Sequence, residues 1–408
     1  MIFRALLPST LRNLTGSIWA GEREARENGT KEPRIEPKAN YRPPLKLREA
    51  NLEDYEQIVA IQNRNGLASR ARENWLGFWQ DNPVYRRRRA TWPIGWLLED
   101  TDCKIVGWLG NLPSAYYFAR REVLCASASP WVVDESYRGY SMLLLDRFTR
   151  QKDVHLLVNT TAGPTAGPVC NLFGYSKVPV GDWDKSAFWI TNYCGFLRVT
   201  SSMKGVPLAE NLSYPLAAVL FLKDYFKSDQ THVDSSFPQI ELCSRFDSRF
   251  DDFWEQLKQQ RSDILLAVRT QETLEWHFRE QLAQGQLWIF TACKESRIIA
   301  VALLDRRNNG RGLKSVRLVD FQALPGWEKM LRPFLSRALE KCRSEGIHLL
   351  EVTGCWLDRP GLPRVFPPHY RGLPSWIFYY KALNEELARA LQEPTVWAPS
   401  SFDGDASV

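Results

Sequence analysis

The chain has 408 residues, of which 44% are hydrophobic and 25% charged, a composition typical of a soluble globular protein. This length exceeds that of a typical single core, so two domains are expected. No run approaches the roughly 20 uninterrupted apolar residues that span a bilayer. The formal net charge of +6 is compatible with an anionic cofactor and does not require a nucleic-acid partner.

The eight cysteines are dispersed along the chain, and several of them lie inside apolar runs. No CxxC pair or His-rich spacing is present, so we expect no metal site. Dispersed thiols of this kind are typical of a reducing compartment, which favours a cytoplasmic location.

The first 44 residues are predicted to form a flexible N-terminal arm. The stretch from Gly21 to Pro44 is polar, charged and contains proline. Met1 to Trp19 differs, because its apolar residues have helical spacing. Pro8 interrupts this segment and no small-residue cleavage site follows it, which favours a short docking segment over a signal peptide.

Residues 45–195 are predicted to form a first domain with the order β-α-α-β-β-β, turn, α-β-α-β. Alternating and helical apolar patterns define these elements. The predicted strands are Leu45 to Ala50, Ile94 to Leu98, Lys104 to Leu109, Ala115 to Phe118, Val123 to Val133, Val154 to Val158 and a last one around Ala187 to Thr191. The predicted helices begin near Asp54, at Arg72, after the turn at Arg138-Gly139, and before Phe173.

The turn after the strand that ends at Val133 is the most informative stretch. Acidic and small residues follow the strand, and an apolar helical pattern then runs through Phe148. A strand-turn-helix of this kind directs backbone N–H groups and the positive end of a helix dipole to one point, which favours a phosphate there. An ordinary βα turn is the alternative interpretation, since Arg-Gly occurs in many loops.

The remaining residues are predicted to form a connecting segment, a second domain and a tail. Residues 196–245 connect the halves and contain the apolar helical run Tyr214 to Phe226. Residues 246–392 repeat the strand and helix spacing, with Ile347 to Thr353 and Trp376 to Tyr380 as closing strands. The polar tail, 393–408, is predicted to be loose.

Two motifs resemble those of the GNAT superfamily of acyl-CoA-dependent N-acyltransferases. Val133 to Gly139 is similar to the end of the family's fourth strand and the start of its pyrophosphate loop. Leu172 to Tyr175, preceded by Ala166, is similar to the signature after the fifth strand. The resemblance implies an α/β fold with two tandem GNAT-like domains, each a mixed, mostly antiparallel sheet flanked by helices. The second domain has Ala323 to Gly326 where the phosphate loop belongs and looks degenerate.

The resemblance implies transfer of an acetyl or other acyl group from acyl-CoA to a primary amine by direct attack. Backbone groups of Trp131, Val132 and Val133 would bind the pantetheine arm as an added strand. Backbone N–H groups of the following turn would hold the diphosphate. The residues that this assigns to the turn are Arg138, Gly139, Tyr140, Ser141 and Met142.

Proton transfer needs further residues. Asp134 and Glu135 lie nearest the implied active centre as candidate bases, and Tyr137 is a candidate relay or donor. Counting back from Gly174, the tyrosine that in many members protonates the departing thiolate falls on Cys170. The alternatives are that both carboxylates complement the helix dipole and that Cys170 is a buried structural cysteine.

Three departures from the motif keep other functions open. The motif's two glycine positions are Ser141 and Leu143, and its upstream asparagine position is Gly163. One rival is a GNAT-fold protein that binds a ligand or partner without catalysis. Another is a tRNA-dependent aminoacyltransferase with paired GNAT-like domains, which the lack of a concentrated basic face in the second half disfavours.

The acceptor region is expected at about Asp54 to Arg89, where aromatic and basic residues suit a small molecule, a sugar amine or a peptide amine. The arginine run Arg86 to Arg89, and Arg120 with Arg121, could contact an acidic substrate or the cofactor phosphates. A solvated basic loop is the alternative for both.

Overall fold

The computed structural model describes residues 45–205, 210–226, 237–357, 369–372 and 377–407. The predicted arm 1–44, with its docking segment, lies outside the described residues, as does Trp376 of a predicted closing strand.

The fold consists of two sheets flanked by helices. The strands are β1 Lys46–Glu49, β2 Gly95–Glu99, β3 Ile105–Phe118, β4 Arg121–Val133, β5 Leu156–Ala162, β6 Ser176–Lys177, β7 Lys185–Ile190, β8 Ile240–Cys243, β9 Leu266–Ala267, β10 Leu287–Lys294, β11 Arg297–Asn308, β12 Lys314–Ala323, β13 Leu349–Thr353, β14 His369–Gly372 and β15 Ile377–Ala382. The α-helices are α1 Tyr55–Arg64, α2 Arg72–Gln80, α3 Pro83–Arg88, α4 Ser141–Thr149, α5 Ala166–Leu172, α6 Tyr193–Met203, α7 Glu210–Tyr225, α8 Arg249–Gln260, α9 Gln271–His277, α10 Arg279–Ala283, α11 Leu331–Ser344 and α12 Glu385–Ala390. Short 3₁₀ helices cover Leu52–Asp54, Glu135–Tyr140, Glu328–Met330, Gly354–Trp356 and Pro394–Val396.

The first sheet has the order β1-β2-β3-β4-β5-β15-β6, and β9 also pairs with β3. The second sheet has the order β14-β7-β13-β12-β11-β10-β8. The described strand pairs are antiparallel except β4 with β5 and β12 with β13. Side chains of the first sheet, including Tyr116 and Leu156, share one core with Phe290 and Phe334 of the second half, so the two sheets pack on each other.

Each predicted domain contributes its last strand to the sheet of the other. β7, predicted to close 45–195, pairs with β13 and β14 in the second sheet. β15, predicted within 246–392, pairs with β5 and β6 in the first. An apolar alternating pattern identifies a strand but not its partner. The tandem division into these residue ranges therefore stays a prediction, whereas the strand exchange is a feature of the fold.

Two local predictions were wrong. The segments 104–109 and 115–118 form the single strand β3, because its ladder with β4 continues through Pro113 with an irregularity between Leu109 and Asn111. The arginine run begins within a helix and not a loop, since α3 extends through Arg88. The side chain of Asn82 caps α3 by accepting from the backbone N–H groups of Val84 and Tyr85, and it donates to the carbonyl of Pro113 on β3.

The prediction of a loose tail over 393–408 was also wrong for the described residues, which end at 407. Trp397 and Phe402 are buried and join the core shared by the two sheets. The backbone N–H of Ser401 donates to the carbonyl of Val319 on β12 at 3.0 Å. Two aromatic anchors thus hold an otherwise polar segment between the sheets. We call residues 397–407 the C-terminal segment.

None of the eight cysteines forms a disulfide. Among the described helices, none has both the length and the apolar character needed to cross a membrane.

Candidate active site

The first sheet opens between its two central parallel strands. β4 and β5 pair only from Cys125 opposite Leu156 to Ser127 opposite Val158. Beyond this point β4 continues to Val133 and β5 to Ala162, but the two strands do not pair. An unpaired strand edge exposes backbone donors and acceptors, which can bind an extended ligand as an added strand. The predicted pantetheine-binding residues Trp131, Val132 and Val133 lie on this free edge.

The turn after β4 leads directly into a helix, as predicted. Residues Glu135–Tyr140 form a 3₁₀ turn, and α4 begins at Ser141. Arg138, Gly139 and Met142 are exposed, while Tyr140 and Ser141 are half-buried. A Cβ added to Gly139 would meet no atom within 4 Å. The turn is therefore open to a ligand, at the positive end of the α4 dipole.

The carboxylate of Asp134 is held by α1. It accepts hydrogen bonds from Arg64 Nε at 2.9 Å and from Asn65 Nδ2 at 2.7 Å, and Arg64 also donates to the carbonyl of Ile105. Burial raises the pKa of Asp134, but the hydrogen bonds and the charge of Arg64 outweigh it, so the net pKa is lowered. A carboxylate held in this way is a weak base, and its contacts fix the end of β4 to α1.

Replacing Asp134 with asparagine should lower the free energy of unfolding by about 1–3 kcal/mol at neutral pH. The folded-state pKa lies below the unfolded value, so the stabilisation is complete above about pH 4 and is lost as the pH falls through the folded pKa. Urea unfolding of both proteins across pH measures this difference. Asp146→Asn, which breaks an exposed pair with Arg150, is the control and should change stability by less than about 1 kcal/mol. If the difference in free energy of unfolding between the two proteins stays constant from neutral to acidic pH, the pKa of Asp134 is not lowered in the folded state.

Glu135 and Tyr137, the other two predicted proton-transfer residues of the turn, lie closer to solvent. The Glu135 side chain is 87% exposed and lies 3.6 Å from Arg138. Tyr137 is half-buried against the core of the first sheet, and burial together with Asp100 and Asp102 raises its pKa. The structure places these two residues and Asp134 on one turn.

Cys170 lies apart from that turn, on α5. It is completely buried, and burial raises its pKa to about 11 although Asn159 of β5 donates to its sulfur at 3.8 Å. Tyr379 of β15 packs beside it, because a Cβ on Gly167 would lie 2.8 Å from the Tyr379 hydroxyl. Burial also raises the pKa of Tyr379. Both groups are therefore protonated at neutral pH. They lie next to β5, the strand on the other side of the opening from β4.

The C-terminal segment crosses the point where β4 and β5 separate. A Cβ at Gly404 would lie 2.5 Å from Thr160 Cγ2 and 3.1 Å from Ser127 Oγ, which places this residue against both strands. The hydroxyl of Thr160 donates to Asp405 Oδ1 at 2.5 Å, and the hydroxyl of Thr161 lies 3.5 Å from Oδ2. Asp405 thus presents a half-buried carboxylate at the apex of the opening.

Further contacts fix this segment to both halves. Ser407 Oγ lies 2.8 Å from Nε2 of His277, and burial lowers the pKa of His277 to about 3, which keeps its ring neutral. Arg317 donates to the carbonyl of Ala406 at 3.3 Å. The position of Asp405 is therefore determined by residues on both sides of it.

Beneath the segment lies a buried charged cluster. Arg269 donates through Nε and Nη2 to Asp320 at 2.6 and 3.1 Å, and both side chains are almost completely buried. Burial raises the pKa of the nearby Asp403, although Arg269 partly opposes this. Arg269 also lies 4.9 Å from the ring centre of Phe402. One cation thus faces two buried carboxylates.

A narrow cleft with a volume of about 50 Å³ lies beside the C-terminal segment, between α3, β3 and α9. Its lining includes Asn82, Ser114, Tyr116, Trp276 and Phe402. Part of the predicted acceptor region, on α3, therefore does reach a cleft next to the opening of the sheet.

The sequence interpretation missed the C-terminal segment and Tyr379. The two large aromatic residues Trp397 and Phe402 are the signal that could have indicated a docked tail, because disordered segments contain few aromatic residues. No local pattern indicates that Asp405 meets Thr160, because the two residues are far apart in the chain.

Solved structures match this architecture over most of the chain. An N-myristoyltransferase from Saccharomyces cerevisiae with bound myristoyl-CoA is similar with a TM-score of 0.50 at 12% identity, covering 87% of this chain and 89% of that one. A GCN5-related N-acetyltransferase from Anabaena variabilis has a TM-score of 0.50 at 14% identity, covering 84% and 73%. A probable N-acyltransferase from Enterococcus faecalis has a TM-score of 0.51 at 11% identity, covering 83% and 72%.

No protein-family model matches the sequence, and no curated protein matches it. The similarity is therefore one of overall fold, in which two mostly antiparallel sheets are flanked by helices. The chain has the fold of the GNAT-type N-acyltransferases, as its two motifs predict.

Proposed function

We propose that this protein is an N-acyltransferase that moves an acyl group from acyl-CoA to a primary amine. The observation that carries the proposal is the free edge of β4 beyond Ser127, which leads into an open turn at the start of α4. An extended pantetheine arm with a diphosphate at one end has the length and polarity that this edge and turn require.

In the proposed reaction the amine nitrogen attacks the thioester carbonyl carbon, the carbon–sulfur bond breaks and CoA leaves as a thiolate. The amine must lose a proton, and we assign this proton to the carboxylate of Asp405, which lies at the apex of the opening. The thiolate gains a proton from the thiol of Cys170 or from the hydroxyl of Tyr379 beside it. Alignment of the amine and thioester supplies much of the rate in such a transfer.

We place the amine acceptor in the cleft between α3, β3 and α9. Its lining combines aromatic side chains with the hydroxyls of Ser114 and Tyr116. Its volume of about 50 Å³ suits the amine-bearing end of a peptide or sugar, with the rest of the molecule outside the cleft. One of the similar structures holds bound myristoyl-CoA, so a short and a long acyl chain are both candidate donors.

Calorimetric titration with acetyl-CoA and with myristoyl-CoA tests the proposal. We expect the native chain to bind at least one of them, and Gly139→Asp to weaken that binding roughly 10-fold or more, because the added carboxylate repels the diphosphate. Gly139→Asn is the matched control. It adds the same bulk into the same open space without charge, and should bind nearly as well as the native chain.

Failure of both ligands to bind the native chain would contradict the proposal. An equal loss of acyl-CoA affinity in Gly139→Asn and Gly139→Asp would contradict the placement of the diphosphate at this turn. Acyl-CoA binding without CoA release, across a panel of peptide, sugar and small-molecule amines, would favour a ligand-binding protein without catalysis.

A further inference from the structure

The helix α7 exposes an unusual amount of apolar surface. Among the described residues, fourteen large hydrophobic side chains are exposed, and seven of these lie on α7 or directly after it. They are Leu212, Tyr214, Val219, Phe221, Leu222, Tyr225 and Phe226. Isolated exposed hydrophobic residues are normal in a folded protein, but a contiguous patch on one helix indicates an interaction surface.

The opposite side of α7 is fixed to the protein. Ser213, Ala217 and Asp224 are buried. The carboxylate of Asp224 lies 2.6 Å from Nε2 of His369 and accepts from the hydroxyl of Tyr193 at 3.1 Å. Because residues of an α-helix are about 100° apart, the seven exposed side chains cover roughly half of the helix circumference, facing away from this anchor.

The exposed charged side chains that the structure describes on and beside α7 are basic. The exposed charged side chains that the structure describes on α6, on α7 and on the residues adjoining them are Arg198, Lys204 and Lys223. The acidic side chain described there, Asp224, is buried with His369. A face of aliphatic and aromatic residues accompanied by basic side chains complements an anionic lipid surface.

The length of α7 determines how such a helix would meet a bilayer. Its 16 residues span about 24 Å, which is shorter than the roughly 30 Å of a hydrocarbon core. Tyr214 and Tyr225 are of the kind that is enriched at the membrane–water interface, and Phe221 and Phe226 suit the apolar face of an interfacial helix. The helix therefore fits a position along the surface and not across the bilayer.

We propose that the exposed face of α7, together with the basic side chain of Lys223 on the same helix and those of Arg198 and Lys204 on the preceding segment, docks this protein on an anionic lipid surface. The proposal stands independently of the catalytic function. It places the protein at a membrane surface through a helix that lies along that surface.

Flotation of the full chain with lipid vesicles tests it, comparing phosphatidylcholine alone with a mixture containing phosphatidylglycerol. We expect binding to the anionic vesicles, weaker binding to the neutral ones, and a fall of roughly 10-fold or more in the partition coefficient for Leu222→Glu with Phe226→Glu. These side chains are 52% and 81% exposed, so the fold should tolerate both changes. Leu242→Glu on β8 is the matched control, because Leu242 is 50% exposed away from α7 and its replacement should leave binding unchanged.

A second pair of substitutions separates charge from apolar contact. Lys204→Gln with Lys223→Gln should reduce the preference for anionic vesicles and leave binding to neutral ones unchanged. Thermal unfolding of every variant checks that the fold is intact. Binding that the α7 double variant retains would assign membrane contact to another segment and overturn the proposal. Self-association of the native chain in light scattering that this variant abolishes, without vesicle binding, would assign the face to a second copy and overturn it equally.

Discussion

An Asp405→Asn variant is expected to lose about 10²-fold or more in kcat for CoA release with an accepted amine. The carboxylate at this position accepts from Thr160 at the point where β4 and β5 separate. Asparagine can accept the same hydrogen bond through its amide oxygen, so the segment should keep its place while the basic group is lost. Steady-state kinetics with the native chain's best amine measures the effect.

The split between kinetic and binding effects decides the role of Asp405. Affinity for acyl-CoA should stay within about threefold of native, because the change acts on proton transfer and not on cofactor binding. Asp252→Asn, at an exposed position on α8, is the control and should leave kcat unchanged. If Asp405→Asn keeps the native kcat, or loses only acyl-CoA affinity, Asp405 is not the base that accepts the proton of the amine.

Replacing Arg269 with methionine should lower the free energy of unfolding by about 3–5 kcal/mol. The substitution leaves Asp320 and Asp403 buried without their cation, and it removes the stacking of Arg269 on Phe402. Because Phe402 anchors the C-terminal segment, we also expect faster proteolysis of residues 397–407. Urea unfolding and limited proteolysis measure the two effects.

Two further variants test the reason for this loss. Arg269→Met combined with Asp320→Leu should recover part of the stability, because replacing both members of a buried ion pair by apolar residues costs little. Arg86→Met removes one member of an exposed pair with Glu272 and should change stability by less than about 1 kcal/mol. Equal losses for Arg269→Met and Arg86→Met would contradict the importance of burial.

The prediction from the sequence was strongest where the pattern is local. The alternation of Lys46–Glu49, the helical pattern of Arg72–Gln80 and the strand-turn-helix from Val133 to Ser141 all lie where the residues indicate. These features depend on periodicity and on turn chemistry within a few residues, which a sequence displays directly. The fold class followed from the same motifs.

Predictions that depended on distant partners were less successful. The tail was expected to be loose, but Trp397 and Phe402 find a core made from both sheets. Asp134 is a candidate base by its position in the sequence, but Arg64 and Asn65, both far from it in the chain, hold its carboxylate through an ion pair and a hydrogen bond. Partners at such separations leave no local pattern.

By itself, the sequence determined the identity and order of most strands and helices, the open turn after β4, and the apolar character of α7. The tertiary structure alone decided that β7 and β15 exchange sheets, that β4 and β5 separate after Ser127, and that Asp405 meets Thr160 at the opening. The physical reason is that backbone propensity and side-chain periodicity act over one or two turns of chain. Strand partners and buried ion pairs, in contrast, are selected by packing among residues that are remote in sequence.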